Sequence, residues 1–131
     1  MKTIGEAARE SGISAKMIRH YDAIGLVRPS ARSEAGSRHY TDNDVHTLSF
    51  VRRARHLGFS LDQTAKLLQL WRDRKRASAE VKSLALRHIE ELDEKIAELE
   101  AMRRTLDHLA RHCHGDHRPD CPIIDDLATK P

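Results

Sequence analysis

Cys113 and Cys121 are the only two cysteines of the chain, and they bracket the stretch CHGDHRPDC. Three histidines lie in or beside it: His112, His114 and His117. Two thiols and three imidazoles at this spacing admit three chemistries. A disulfide is one. A Cys2His2 zinc site is another, since zinc accepts thiolate and imidazole and wants four ligands. The third is a clamp of two thiolates on a soft ion such as Cu(I), Ag(I) or Au(I). Asp116 and Asp120 are hard donors, better suited to solvating the loop than to holding a soft ion.

The rest of the chain narrows the setting. No apolar run approaches the ~20 residues of a membrane span, and the N-terminal MKTIGEAARE has no apolar signal-peptide core. We therefore expect a cytoplasmic protein with no membrane partner, where a structural disulfide is disfavoured. No enzyme is expected. The cysteine spacing is not C-x-x-C, no βαβ pattern surrounds it, and no base is placed by any recognisable pattern. A dithiol redox switch stays open on chemistry alone.

The elements that must position these groups can be read outward from the loop. Residues 78–111 contain neither glycine nor proline. Val81, Ala85, Ile89, Leu92, Ile96, Leu99, Met102, Leu106 and Leu109 recur there at spacings of three and four, which predicts one long helix with a heptad seam. Such a helix would run roughly 50 Å. No second long helix exists in the chain to cover its stripe, so a homodimer is expected.

Charge is divided unevenly. Residues 1–77 carry 15 Lys/Arg against 8 Asp/Glu, and residues 78–131 carry 8 against 12. A basic front and an acidic back suggest a polyanion-binding module joined to something else. Thr3-x-x-Glu6 reads as a capping box, and Ser14 as the N-cap of a second helix running to about Asp22. Gly12 supplies the tight turn between them, giving a helix-turn-helix. Lys16 and Arg19 project from the second helix, where long cations can reach base edges or phosphates. Residues 25–40 lose the helical pattern. They suit a basic hairpin, with SEAGS at its tip and Arg28, Arg32 and Arg38 along it, reading as a wing on the sugar-phosphate backbone. Two linking helices are expected at about 41–56 and 60–75, capped by Thr41/Asp44 and Ser60/Gln63.

In that order, these features resemble the MerR family of transcription regulators. TIGEAARESGISAKMIRHYDAIGLVRP followed by RSEAGSRHYTDNDV is similar to its N-terminal signature, and CHGDHRPDCPII to the metal loop of its copper-responsive CueR-type branch. The resemblance covers essentially the whole chain. It implies a mainly α fold: a winged helix-turn-helix DNA-binding domain (1–40), linking helices (41–77), a long antiparallel coiled-coil dimerisation helix (78–111), and a C-terminal metal-binding loop and tail (112–131). It also implies a homodimer on promoter DNA with an inverted repeat, which distorts that DNA for RNA polymerase when metal binds. Lys16, Arg19, Tyr21, Arg32, Arg38 and Tyr40 match DNA-contacting positions. Ser37 and His39 depart from the branch, which often has an aromatic and a small polar residue there.

The resemblance also bears on the metal. Relatives that sense divalent ions have a third cysteine at the start of the dimerisation helix, where this chain has Ser78. Cys113 and Cys121 are thus expected to bind Cu(I), alternatively Ag(I) or Au(I). Two thiolates and a +1 ion leave one negative charge, which a helix N-terminus and the matched cation Lys82 could offset. The alternative is a divalent (zinc-type) or dithiol redox-sensing regulator of the same family.

Overall fold

The computed structural model describes residues 1–33 and 36–129. Six helices and one two-stranded ribbon are found among them: α1 (Ile4–Ser11), α2 (Ala15–Ala23), β1 (Ala31–Arg32), β2 (Arg38–His39), α3 (Asp42–His56), α4 (Leu61–Arg72), α5 (Ser78–Arg111) and α6 (Pro122–Thr129). The chain divides into two compact units, Met1–Val81 and Lys82–Pro131.

Each helix of the first unit begins where a polar side chain can replace a missing backbone partner. The Thr3 hydroxyl accepts the Glu6 amide at 3.2 Å, and the Glu6 carboxylate accepts the Thr3 amide. Thr41 with Asp44 and Ser60 with Gln63 form the same reciprocal pair, and Ser14 accepts the Met17 amide. Each such cap contributes about 0.5–2 kcal/mol. Gly12 closes α1 at φ 76°, and its amide donates to the Ala8 carbonyl. The backbone angle favours glycine, and a Cβ there would also have to displace the Arg52 side chain of α3, which lies 2.9 Å away.

Ala7, Ile13, Ile18, Tyr21, Val27, Tyr40, Leu48, Val51 and Leu68 form the core. Phe50 and Trp71 stack beside it, with ring centroids 4.4 Å apart. The core draws on α1, α2, the wing base, α3 and α4, so the helix-turn-helix and the linking helices share one interior. The ribbon is antiparallel, pairing Ala31 with His39 and Arg32 with Arg38. Lys2 and Tyr40 exchange both backbone hydrogen bonds at 2.8 Å, tying the N-terminus to the wing. Residues 34 and 35 of the expected hairpin tip SEAGS lie outside the described residues.

α4 stops at Arg72, short of the expected residue 75. Asp73 leaves the helix at ψ 105°, its carboxylate accepts the Lys75 amide, and the Arg76 guanidinium donates to the carbonyls of Trp71 and Asp73. Arg76 thus caps the helix end from beyond it, and the basic run 72–76 does not extend the helix. α5 has its expected bounds. Its stripe is bare within one chain: Ile89, Ile96, Leu99, Met102 and Leu106 are each half or more exposed.

Candidate nucleic-acid interface and candidate metal centre

Ser14 and Gly12 fix where α2 starts, and Ile18 and Tyr21 bury one of its faces in the core. Lys16 and Arg19 are consequently presented to solvent. The wing lies close by: Arg19, Arg38, Ser37 and His39 line one hollow of about 420 Å³ with Thr3 and Ile4.

Asp22 joins α2 to the wing, a role its position in the sequence did not reveal. One carboxylate oxygen accepts from Arg38 Nε at 2.7 Å and from Arg32 Nη2 at 2.8 Å. The Arg38 hydrogen bond is the main reason that the Asp22 carboxyl lies below its ordinary pKa; burial opposes the shift and Arg32 reinforces it. Asp22 is nearly buried, while the arginine side chains remain 31% (Arg38) and 48% (Arg32) exposed. One anion therefore aims two cations without neutralising both. The only advance signal was an acidic residue at the end of a basic helix.

Of the six residues expected at DNA, Lys16, Arg19, Arg32 and Arg38 reach solvent. Tyr21 and Tyr40 do not: they are 5% and 0% exposed. An aromatic ring contributes most by burial, and these two fill the junction of α2, the wing and α3. The Tyr40 hydroxyl is buried without a hydrogen-bond partner among the described residues. Asp44 secures the same junction by accepting from Ser30 and Thr41. Burial pushes its carboxyl up, but these hydrogen bonds outweigh burial and hold it below the ordinary value.

At the other end of the chain, Cys113 follows α5 and Cys121 precedes α6. Their sulfurs stand 3.9 Å apart. That is far beyond a disulfide bond of ~2.05 Å. It is within the ~4.6 Å that two metal–thiolate bonds of ~2.3 Å can span, so the pair fits one soft ion held by both sulfurs. The Cys121 thiol occupies the place of a helix cap, with Pro122 as the first helical residue. Amides of Ile124, first, and Ile123 hydrogen-bond its sulfur and, helped by Cys113, hold its pKa below the ordinary thiol value despite desolvation. That environment favours the thiolate, the form that binds metal.

The neighbouring histidines are arranged differently. His112 turns back along α5, with Nδ1 2.7 Å from the His108 carbonyl. Asp116 pairs with Arg118 at 2.8 Å. Among the described residues, no group of three or more His, Cys, Asp or Glu side chains converges on one point. Ser78 and Lys82 lie exposed in the first turns of α5, a helix of 34 residues that ends two residues before Cys113.

Comparison with known proteins identifies the family. A family profile described as "MerR HTH family regulatory protein" matches residues 2–71, and one described as "MerR, DNA binding" matches residues 45–109. Heavy metal-dependent transcription regulator 2 of Rhizobium meliloti (strain 1021) is 63% identical over 126 residues, covering 96% of this chain and 86% of the relative. The HTH-type transcriptional regulator CueR of Salmonella typhimurium (strain LT2) is 42% identical over 125 residues, covering 95% and 91%. Among solved structures, the lead(II) complex of PbrR691 from Ralstonia metallidurans CH34 superposes with a TM-score of 0.81 at 32% identity, covering 97% of this chain and 99% of that one.

Proposed function

The chain belongs to the MerR family of helix-turn-helix regulators, and from that premise we propose that it is a cytoplasmic, metal-responsive activator of transcription. As a homodimer it binds promoter DNA at an inverted repeat. It distorts that DNA for RNA polymerase when Cu(I), or alternatively Ag(I) or Au(I), is held by Cys113 and Cys121. The observation that carries this reading is the thiol pair, 3.9 Å apart, with one sulfur set on backbone amides at a helix start.

Each half of the chain has a task. Lys16 and Arg19 reach from α2 into the major groove, while Arg32 and Arg38, aimed by Asp22, hold the backbone beside it. Tyr21 and Tyr40 support that surface from within. Bending and untwisting a promoter costs of order 1–6 kcal/mol, which contacts available only to the activated dimer must offset. The bound ion would join the end of α5 to the start of α6 through two sulfurs. Two chains paired antiparallel along α5 would bring Ser78 and Lys82 of one copy beside the other copy's thiols. Lys82 would then balance the residual negative charge, and Ser78 would leave no third thiolate for a divalent ion.

Because the lead(II)-bound relative shows that divalent ions occur within this fold, the test must include one. X-ray absorption on the anaerobic, reduced protein loaded with Cu(I) should show sulfur neighbours only, with Zn(II) bound weakly under the same conditions. A zinc centre of mixed sulfur and nitrogen donors would overturn the monovalent assignment. Peroxide-driven activation without metal would replace it with a dithiol switch.

A further inference from the structure

His108 in the last turn of α5 and His112 just after it, whose amide still donates to the His108 carbonyl at 3.3 Å, form a second pair of potential ligands that the thiolate site does not use. We propose that these two imidazoles form a labile site for a borderline divalent cation such as Ni(II), Zn(II) or Cu(II), separate from the soft-ion site at the cysteines.

Spacing is the first argument. Residues four apart on a helix lie on one face, one above the other, and paired histidines at this interval are a recurrent chelating unit on helices. Their rings lie with centroids 4.3 Å apart and planes at 48°, and both residues are exposed. Metal–imidazole bonds run ~2.0–2.1 Å, so one ion can bridge ring nitrogens on neighbours this close.

The tautomer is the second argument. Nδ1 of His112 lies 2.7 Å from the His108 carbonyl oxygen, and a carbonyl can only accept. Nδ1 must therefore carry the proton, which leaves the lone pair of the neutral ring on Nε2. A ligating histidine is ordinarily prepared this way, its other nitrogen donating to a fixed acceptor.

Placement is the third. At 100° per residue, His108 and His112 lie about 200° and 240° around the helix from Leu106, away from the main line of the apolar stripe, with its last member Leu109 about 60° from His112. His108 also borders a hollow of about 310 Å³ with Arg104 of α5 and Asp126 of α6, whose opposite charges keep it from repelling a cation. With two protein nitrogens and water in the remaining positions, such a site holds its ion loosely. Imidazole suits borderline ions, whereas thiolates select soft ones, so the two sites sort metals by donor type.

The test is titration of Ni(II) into the full-length reduced protein whose thiols are already loaded with Ag(I). Calorimetry would follow stoichiometry, and NMR the imidazole resonances. One Ni(II) per chain is expected, with His108 and His112 signals broadened first and the same binding in Cys113→Ser/Cys121→Ser. His108→Gln and His112→Gln should each weaken Ni(II) binding roughly tenfold or more, leaving Ag(I) loading and helix content unchanged. Three results would each overturn the site: no Ni(II) binding, binding unaffected in both Gln variants, or binding lost with the cysteines.

Discussion

Asp22 shows how one side chain sets the chemistry of others. It collects Arg32 and Arg38 at one oxygen, and its depressed pKa records that contact. A carboxyl whose folded pKa is lowered contributes stability above its ordinary value near 3.9, and loses it as pH falls through the folded value. Asp22→Asn should therefore lower stability at pH 7 by about 1–2 kcal/mol, at or below the low end of the range for a charged hydrogen bond, since both guanidinium groups are partly solvated. In thermal unfolding the gap from the parent protein should narrow below about pH 4. A gap constant down to pH 2 would mean that this carboxylate does not titrate as described. Cys121 makes the corresponding case for a thiol. Site-resolved alkylation followed against pH should reach its midpoint at Cys121 below the ~8.5 of a free cysteine. A midpoint at or above that value would show that the Ile124 and Ile123 amides do not hold the sulfur.

At the scale of elements, α2 owes its two faces to one capping hydroxyl and two buried residues. Ser14 fixes the first turn, Ile18 and Tyr21 fix the rotation, and Lys16 and Arg19 are left facing outward. Arg19→Ala should thus leave folding intact and weaken binding to the specific operator by ~1–3 kcal/mol, as read by titration against operator and scrambled duplexes. Equal losses on both duplexes would make Arg19 a phosphate contact instead of a base reader. The caps at Thr3, Thr41 and Ser60 were legible because each is a local pattern, a hydroxyl followed three residues later by an acid or amide, and Ser14 because its hydroxyl stands just before a helical run. The end of α4 was less legible. It depends on Arg76 folding back onto the Trp71 and Asp73 carbonyls, and charge patterning alone does not distinguish that from one more helical turn.

At the scale of the molecule, the exposed stripe of α5 bears on the proposed assembly. Leu99 and Met102 are 57% and 59% exposed in a helix whose neighbouring stripe residues are equally bare. Leaving a large apolar side chain in water forgoes about 1.5–3 kcal/mol each, so a run of them demands a cover. Sedimentation should give a dimer. Replacing Ile96 and Leu99 by Glu should give a monomer whose first unit still folds, because the core of Met1–Val81 uses neither residue. A dimer persisting in that variant would place the interface elsewhere.

The sequence by itself determined what depends on neighbours along the chain: the helix starts, the long uninterrupted α5, the basic hairpin and the two thiols eight residues apart. Helix and hairpin signals are local because hydrogen bonds and side-chain periodicity repeat within a few residues. Only tertiary structure decided what depends on distance through space. It put Tyr21 and Tyr40 inside although their types also suit a surface contact, and it made Asp22 the keeper of the wing across 16 residues of chain. It also brought the Cys113 and Cys121 sulfurs to 3.9 Å and turned His112 toward His108 instead of toward the thiols. Composition tells which donors are present, but a donor set acts only where the folded backbone aims its lone pairs.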